Sequence, residues 1–132
     1  MRKRSTVLLA LLLVGIFMFG CATFKQNTYK TLYSAGTTYN VAMKSVADLK
    51  AQGKITDAQL AEIMTIANAY YVAYQASVDA FETYQKTDLA ADKDKLAVAL
   101  ADVAGKLSKV IDYVNRLRSK LGMKPLPVGG DV

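Results

Sequence analysis

Residues 60–84, LAEIMTIANAYYVAYQASVDAFETY, decide the fold. Leu60, Ile63, Ala67, Tyr70, Tyr74, Ser77, Phe81 and Tyr84 follow one another at alternating spacings of three and four. At the helical period that pattern is a single stripe, the seam of a helix packed on other helices. Met64, Tyr71 and Val78 lie beside the stripe and are read as widening it. A face that wide suits a bundle with two neighbours better than a two-stranded coiled coil.

The start of this helix is written in local chemistry. Thr56 can accept from the free amides of the first turn, Gln59 completes a capping box, and Ile55 can staple onto Leu60. Asp57 and Glu62 suit the positive end of the helix dipole. Gly53, just upstream, is a natural stop for a preceding helix. These signals set a helix at residues 57–86 behind a tight turn.

Downstream, the same alternation returns in Leu89, Lys93, Leu96, Leu100, Val103, Leu107, Val110, Val114, Leu117 and Leu121, broken at Lys93 and flanked by Ala97, Ala104 and Ile111. Thr87 or Asp88 can cap this helix, Asp92 and Asp94 enrich its early turns, and Gly122 and Pro125 stop it, giving residues 88–121. Upstream, Leu32, Ala35, Tyr39, Ala42, Val46 and Leu49 carry the period through a run of indifferent helix formers. That predicts a helix over residues 28–52 with a kink near Gly36. The second and third helices would each be about 45 to 50 Å long, rods that need each other to be stable. The expected fold is therefore all-α, an up-down-up antiparallel three-helix bundle over residues 28–122. Residues 123–132, with two prolines, adjacent glycines and no period, are expected to be a disordered tail.

The amino-terminal segment has a different composition. Arg2, Lys3 and Arg4 form a positive region, and Val7 to Phe19 form an apolar stretch interrupted only at Gly15. A membrane-spanning helix needs about 20 apolar residues, and this run falls short of that. It fits a secretory signal core instead. Met18-Phe19-Gly20-Cys21, which follows, resembles the lipobox of bacterial lipoproteins. Gly20 and Cys21 match the pattern; Met18 and Phe19 stand where the family has leucine and a small residue. The resemblance implies cleavage between Gly20 and Cys21, lipidation of the Cys21 thiol with fatty acyl chains such as palmitate, and insertion of those chains into a lipid bilayer. It also implies an outer-membrane address facing the periplasm, because Ala22 stands where an aspartate would favour retention in the inner membrane. Residues 1–20 are then the signal peptide and residues 21–27 a lipidated tether. The competing reading is an uncleaved signal anchor with Cys21 as an incidental buried residue.

Composition excludes more than it suggests. The chain of 132 residues has one cysteine, no histidine and no tryptophan. No intramolecular disulfide and no cysteine-based metal site can form, and histidine acid–base chemistry is absent. The formal charge is +6, from 17 basic and 11 acidic residues. Setting aside Arg2, Lys3 and Arg4 leaves 14 basic residues and a net +3, too mild to argue for nucleic acid. Glu62 and Glu82 sit on one helix, without the Glu-x-x-His motifs of a di-iron bundle. The chain is therefore expected not to be an enzyme, and to carry no cofactor or metal.

Two clusters are candidate partner-binding residues. Tyr70, Tyr71 and Tyr74 form either a core layer or a recognition patch, since tyrosine offers flat apolar area with a polar handle. Arg116, Arg118 and Lys120 gather at the end of the third helix. They either complement its dipole or meet an anionic surface. The function read from these features is a membrane-anchored envelope lipoprotein serving as a non-enzymatic structural or interaction subunit, through an envelope protein partner or self-association. The alternatives are a small-ligand module with a tyrosine-lined cavity and, on size and tether alone, a phage-type lysis lipoprotein.

Overall fold

The computed structural model describes residues 2–127, with side chains from residue 23. It consists of α1 (Arg2–Ala51), α2 (Asp57–Thr87) and α3 (Ala90–Lys120), with no strand among the described residues. The chain divides into two compact units, Met1–Thr31 and Leu32–Val132. In the first, the described backbone is helical, and the Thr28 hydroxyl donates to the Phe24 carbonyl at 2.8 Å. Residues 21–27, expected as a tether ahead of the helix, lie within α1. Ala22, Lys25 and Gln26 are good helix formers, and neither proline nor glycine interrupts them. The surroundings of Gly20 and the side chain of Cys21 lie outside what the structure describes.

The second unit is a three-helix bundle. α1 passes through Gly36 without the expected break. A Cβ at Gly36 would stand 3.3 Å from the Tyr74 hydroxyl oxygen, so this glycine marks a close approach of α2 and not a kink. α1 ends at Gly53, whose φ of +67° is open to glycine at little cost. There the Lys54 amide donates to the Leu49 carbonyl at 2.9 Å and the Gly53 amide to that of Lys50 at 3.0 Å. Together these two bonds make a Schellman motif. The capping box read from the sequence then opens α2: Gln59 N donates to Thr56 Oγ1 at 3.1 Å, and Thr56 N to Gln59 Oε1 at 2.9 Å. Lys50 and Asp57 pair across the turn.

The α2–α3 connection departs from expectation. Asp88 is the C-cap of α2, with φ 53°, and Leu89 occupies the N-cap of α3 with no side-chain hydrogen bond. Thr87 acts from outside the cap, its hydroxyl donating to Asp92 at 2.6 Å and accepting from the Leu89 amide at 3.3 Å.

The core lies along the predicted seams. Leu49, Ile63, Tyr70, Tyr84, Leu96, Val110 and Val114 are fully buried, as are Ala42 and Val46 on α1, and Leu32 and Ala35 are buried beside them. Each large apolar side chain withdrawn from water contributes about 1.5–3 kcal/mol before the entropy of ordering it. Of the three residues expected to widen the α2 seam only Val78 is half-buried, and the seam widens chiefly on the opposite side. Met64 and Tyr71 are 49% and 53% exposed, whereas Ala73 is buried and Ile66 packs against the core. Alanine at 73 presents little bulk where the neighbouring helix closes in. Leu89 and Leu121 continue the α3 stripe but are exposed, as are Ala97 and Ala104.

The tail also differs from expectation. Gly122, with φ +69°, closes α3 in a second Schellman motif, the Met123 amide donating to the Arg118 carbonyl at 2.9 Å. Residues 123–127 then fold back as a strap. Leu126 is buried in the core, and its amide donates to Asn115 Oδ1 at 2.7 Å. The expectation of disorder over 123–127 is therefore corrected: one leucine between two prolines supplies enough apolar area to seat a short segment whose φ angles are already restricted. Residues 128–132 lie outside the described residues.

Candidate functional site

The two clusters singled out in the sequence separate into structural and surface roles. Tyr70 stacks on Tyr39 with ring centroids 4.4 Å apart and meets Tyr74 at 5.8 Å. Tyr74 donates to the Leu32 carbonyl at 3.2 Å, joining α2 to α1. The Tyr39 and Tyr70 rings thus fill their layer between α1 and α2. Tyr71 alone of the adjacent pair faces solvent. Burial holds the Tyr70 phenol well above its ordinary pKa, and the neighbouring phenols of Tyr74 and Tyr39 act in the same direction. Tyr39 is raised by burial, and then by Tyr71.

At the end of α3, Arg118 is committed to the fold. Its Nη1 donates to Ser45 Oγ on α1 at 2.9 Å, and its Nε donates to the Lys124 carbonyl of the strap at 2.7 Å. Lys120 is exposed. Arg116 lies with its guanidinium carbon 5.4 Å from the Tyr113 ring centroid. Tyr113 is itself fixed, its hydroxyl donating to Glu62 Oε2 at 2.9 Å across the α2–α3 interface. Burial raises the Tyr113 pKa, and the hydrogen bond to Glu62 raises it further because a phenolate could not donate it.

Beside Arg116 opens a groove of about 840 Å³. Its apolar lining comes from Ile66 of α2 and from Met123 and Pro125 of the strap. Its polar wall is one stretch of α3, with Lys109, Asp112, Asn115, Arg116 and Ser119. These positions recur at three- and four-residue spacings and so share the helix face turned away from the seam. Of the predicted partner-binding residues, the structure brings Arg116 to this groove, uses Arg118 to hold one of its walls, and leaves the tyrosines outside it.

Sequence reading missed Lys109, Asn115, Ser119 and the strap. The first three resemble any solvated helix face until the strap lies beside them. The available signal was Lys124-Pro125-Leu126-Pro127, an apolar residue held between two φ-restricted ones. Among the described residues no group of three or more His, Cys, Asp or Glu side chains is placed to hold a metal ion. No helix among them is long and apolar enough to cross a membrane. No protein-family model matches the chain, and no curated protein or solved structure is found to be similar to it.

Proposed function

We propose that the chain is a bacterial envelope lipoprotein, cleaved before Cys21, acylated on that cysteine, and working through its bundle as a non-enzymatic structural or interaction subunit. The observation that carries this is the order of residues 2–21: a basic start, an apolar core too short to span, and Gly20-Cys21 at its end, with Cys21 the one cysteine of the chain. Several acyl chains at about 0.8 kcal/mol per buried methylene exceed what stable anchoring requires. Ala22 favours the outer membrane, facing the periplasm.

The interaction role is supported by the kind of surface the bundle offers. Tyr71 and Met64 are exposed on α2, and the last turns of α3 carry the exposed Arg116, beside a groove, and the exposed Lys120. Tyrosine, methionine and arginine are the residue types enriched at the centres of protein interfaces.

Intact mass of the protein purified from bacterial membranes, beside a Cys21→Ala variant, tests the anchor. A mass corresponding to residue 21 onward plus acyl chains, with the variant left unprocessed or released, is expected. A full-length mass unchanged in the variant would overturn the reading in favour of an uncleaved anchor. The subunit role is tested separately by crosslinking in intact cells: a specific partner or a homo-oligomer is expected, and an uncrosslinked monomer alone would count against it.

A further inference from the structure

The groove beside Arg116 carries a charge imbalance that the fold does not use. Among the described residues neither Lys109 nor Arg116 has a carboxylate within ion-pair distance, and Asp112 on the same wall has no cation. Asn115 spends its Oδ1 on the strap amide of Leu126, so its remaining polar group is the Nδ2 donor. The Ser119 hydroxyl on the same wall has no hydrogen-bond partner among the described residues. Two cations and two neutral donors therefore face one carboxylate, next to apolar surface from Ile66, Met123 and Pro125.

From this arrangement we infer that the groove binds a small organic anion, a carboxylate joined to an apolar body. The carboxylate meets Lys109 and Arg116, and the body lies over Ile66 and Met123. A groove of about 840 Å³ is of the size that takes such molecules. Arg116 is partly preorganised, since the ring beneath it is held by the Tyr113–Glu62 hydrogen bond, and a cation already placed loses less freedom on binding. The part of the apolar wall supplied by Met123 and Pro125 is held in place by the seated Leu126 and by the Arg118 bond to the Lys124 carbonyl. Ligand binding and strap docking therefore favour each other by linkage.

This inference is independent of the anchor at Cys21 and fails or stands separately from it. The test titrates phenylbutyrate, and in parallel phenylbutylamine and inorganic phosphate, into the isotope-labelled full chain held in zwitterionic lipid nanodiscs, with empty discs as the control. Phenylbutyrate is expected to shift saturably the amide resonances of residues 109–119 and of Met123, Lys124 and Leu126, while the amine and phosphate do not. Lys109→Gln with Arg116→Gln, both exposed positions, should weaken binding by about tenfold or more, as loss of two charge-assisted contacts implies. Asp112→Asn should tighten it, and Leu126→Asp should weaken it although both cations remain. No saturable shift, equal binding of the amine, phosphate binding as well as phenylbutyrate, or affinity unchanged in the double variant would each overturn the inference.

Discussion

The hydroxyls of Tyr70 and Ser77 are buried on α2 without a hydrogen-bond partner among the described residues. A buried polar group left unsatisfied costs about 1–3 kcal/mol. Both side chains are otherwise what the seam requires, an aromatic ring that stacks on Tyr39 and a small group in the core. Tyr70→Phe keeps the ring and removes the orphan oxygen, so it should raise the unfolding free energy by about 1 kcal/mol in urea titration of the full chain. Ser77→Ala should do the same and gains helix propensity as well. Loss of stability in either variant would mean that the hydroxyl is satisfied by a buried water.

At the scale of the elements, the ends of the helices differ in quality. The α1–α2 turn combines a Schellman stop with a complete capping box, and both were legible because each depends on residues within six positions of one another. Gly53→Ala places a side chain at φ +67°, and should cost about 1 kcal/mol. α3, by contrast, begins on Leu89, which caps nothing and is 58% exposed. Leu89→Ser supplies an acceptor for the free amides of the first turn while giving up little burial. A gain of about 0.5–1 kcal/mol is expected in the same denaturation experiment, with amide exchange slowed at residues 91–93. Thr87 and Asp88 read as caps in the sequence because they are the right residue types. The left-handed conformation of Asp88, which ends α2, instead assigns the cap position to its neighbour.

For the whole molecule, two contacts tie the far parts of the chain together: Arg118 between α1 and the strap, and Leu126 in the core. Leu126→Ala should destabilise the bundle by about 2–3 kcal/mol if the strap unfolds with it. Should the strap instead detach alone, amide protection would fall at Met123, Lys124 and Leu126 and nowhere else. Stability should also depend on pH at the alkaline end. The phenols of Tyr39, Tyr70 and Tyr113 are all raised in the fold, so above about pH 10 the unfolded chain releases protons that the folded chain retains. Stability is then unaffected by these groups below that pH and falls as pH rises through it. Tyr70→Phe should flatten the fall, which denaturant midpoints measured from neutral pH upward would show.

The sequence by itself determined the helical class, the number of helices in the bundle, the seam of α1, the seam of α3 from Leu96 to Leu117 and the stop at Gly53. All of these follow from a period and from caps that act over one or two turns. It could not say which flank of the α2 seam would be covered, because Met64 and Tyr71 on one side and Ile66 and Ala73 on the other are equally apolar. The flank that the neighbouring helices cover, where Ala73 is buried and Ile66 packs, was fixed only when the bundle closed. Nor could it place Leu126 against α3 or aim Lys109, Asn115 and Ser119 into a common groove. Those contacts join segments that are neighbours only once the bundle has closed, and the apolar burial that holds them is non-directional until a surface is present to receive it.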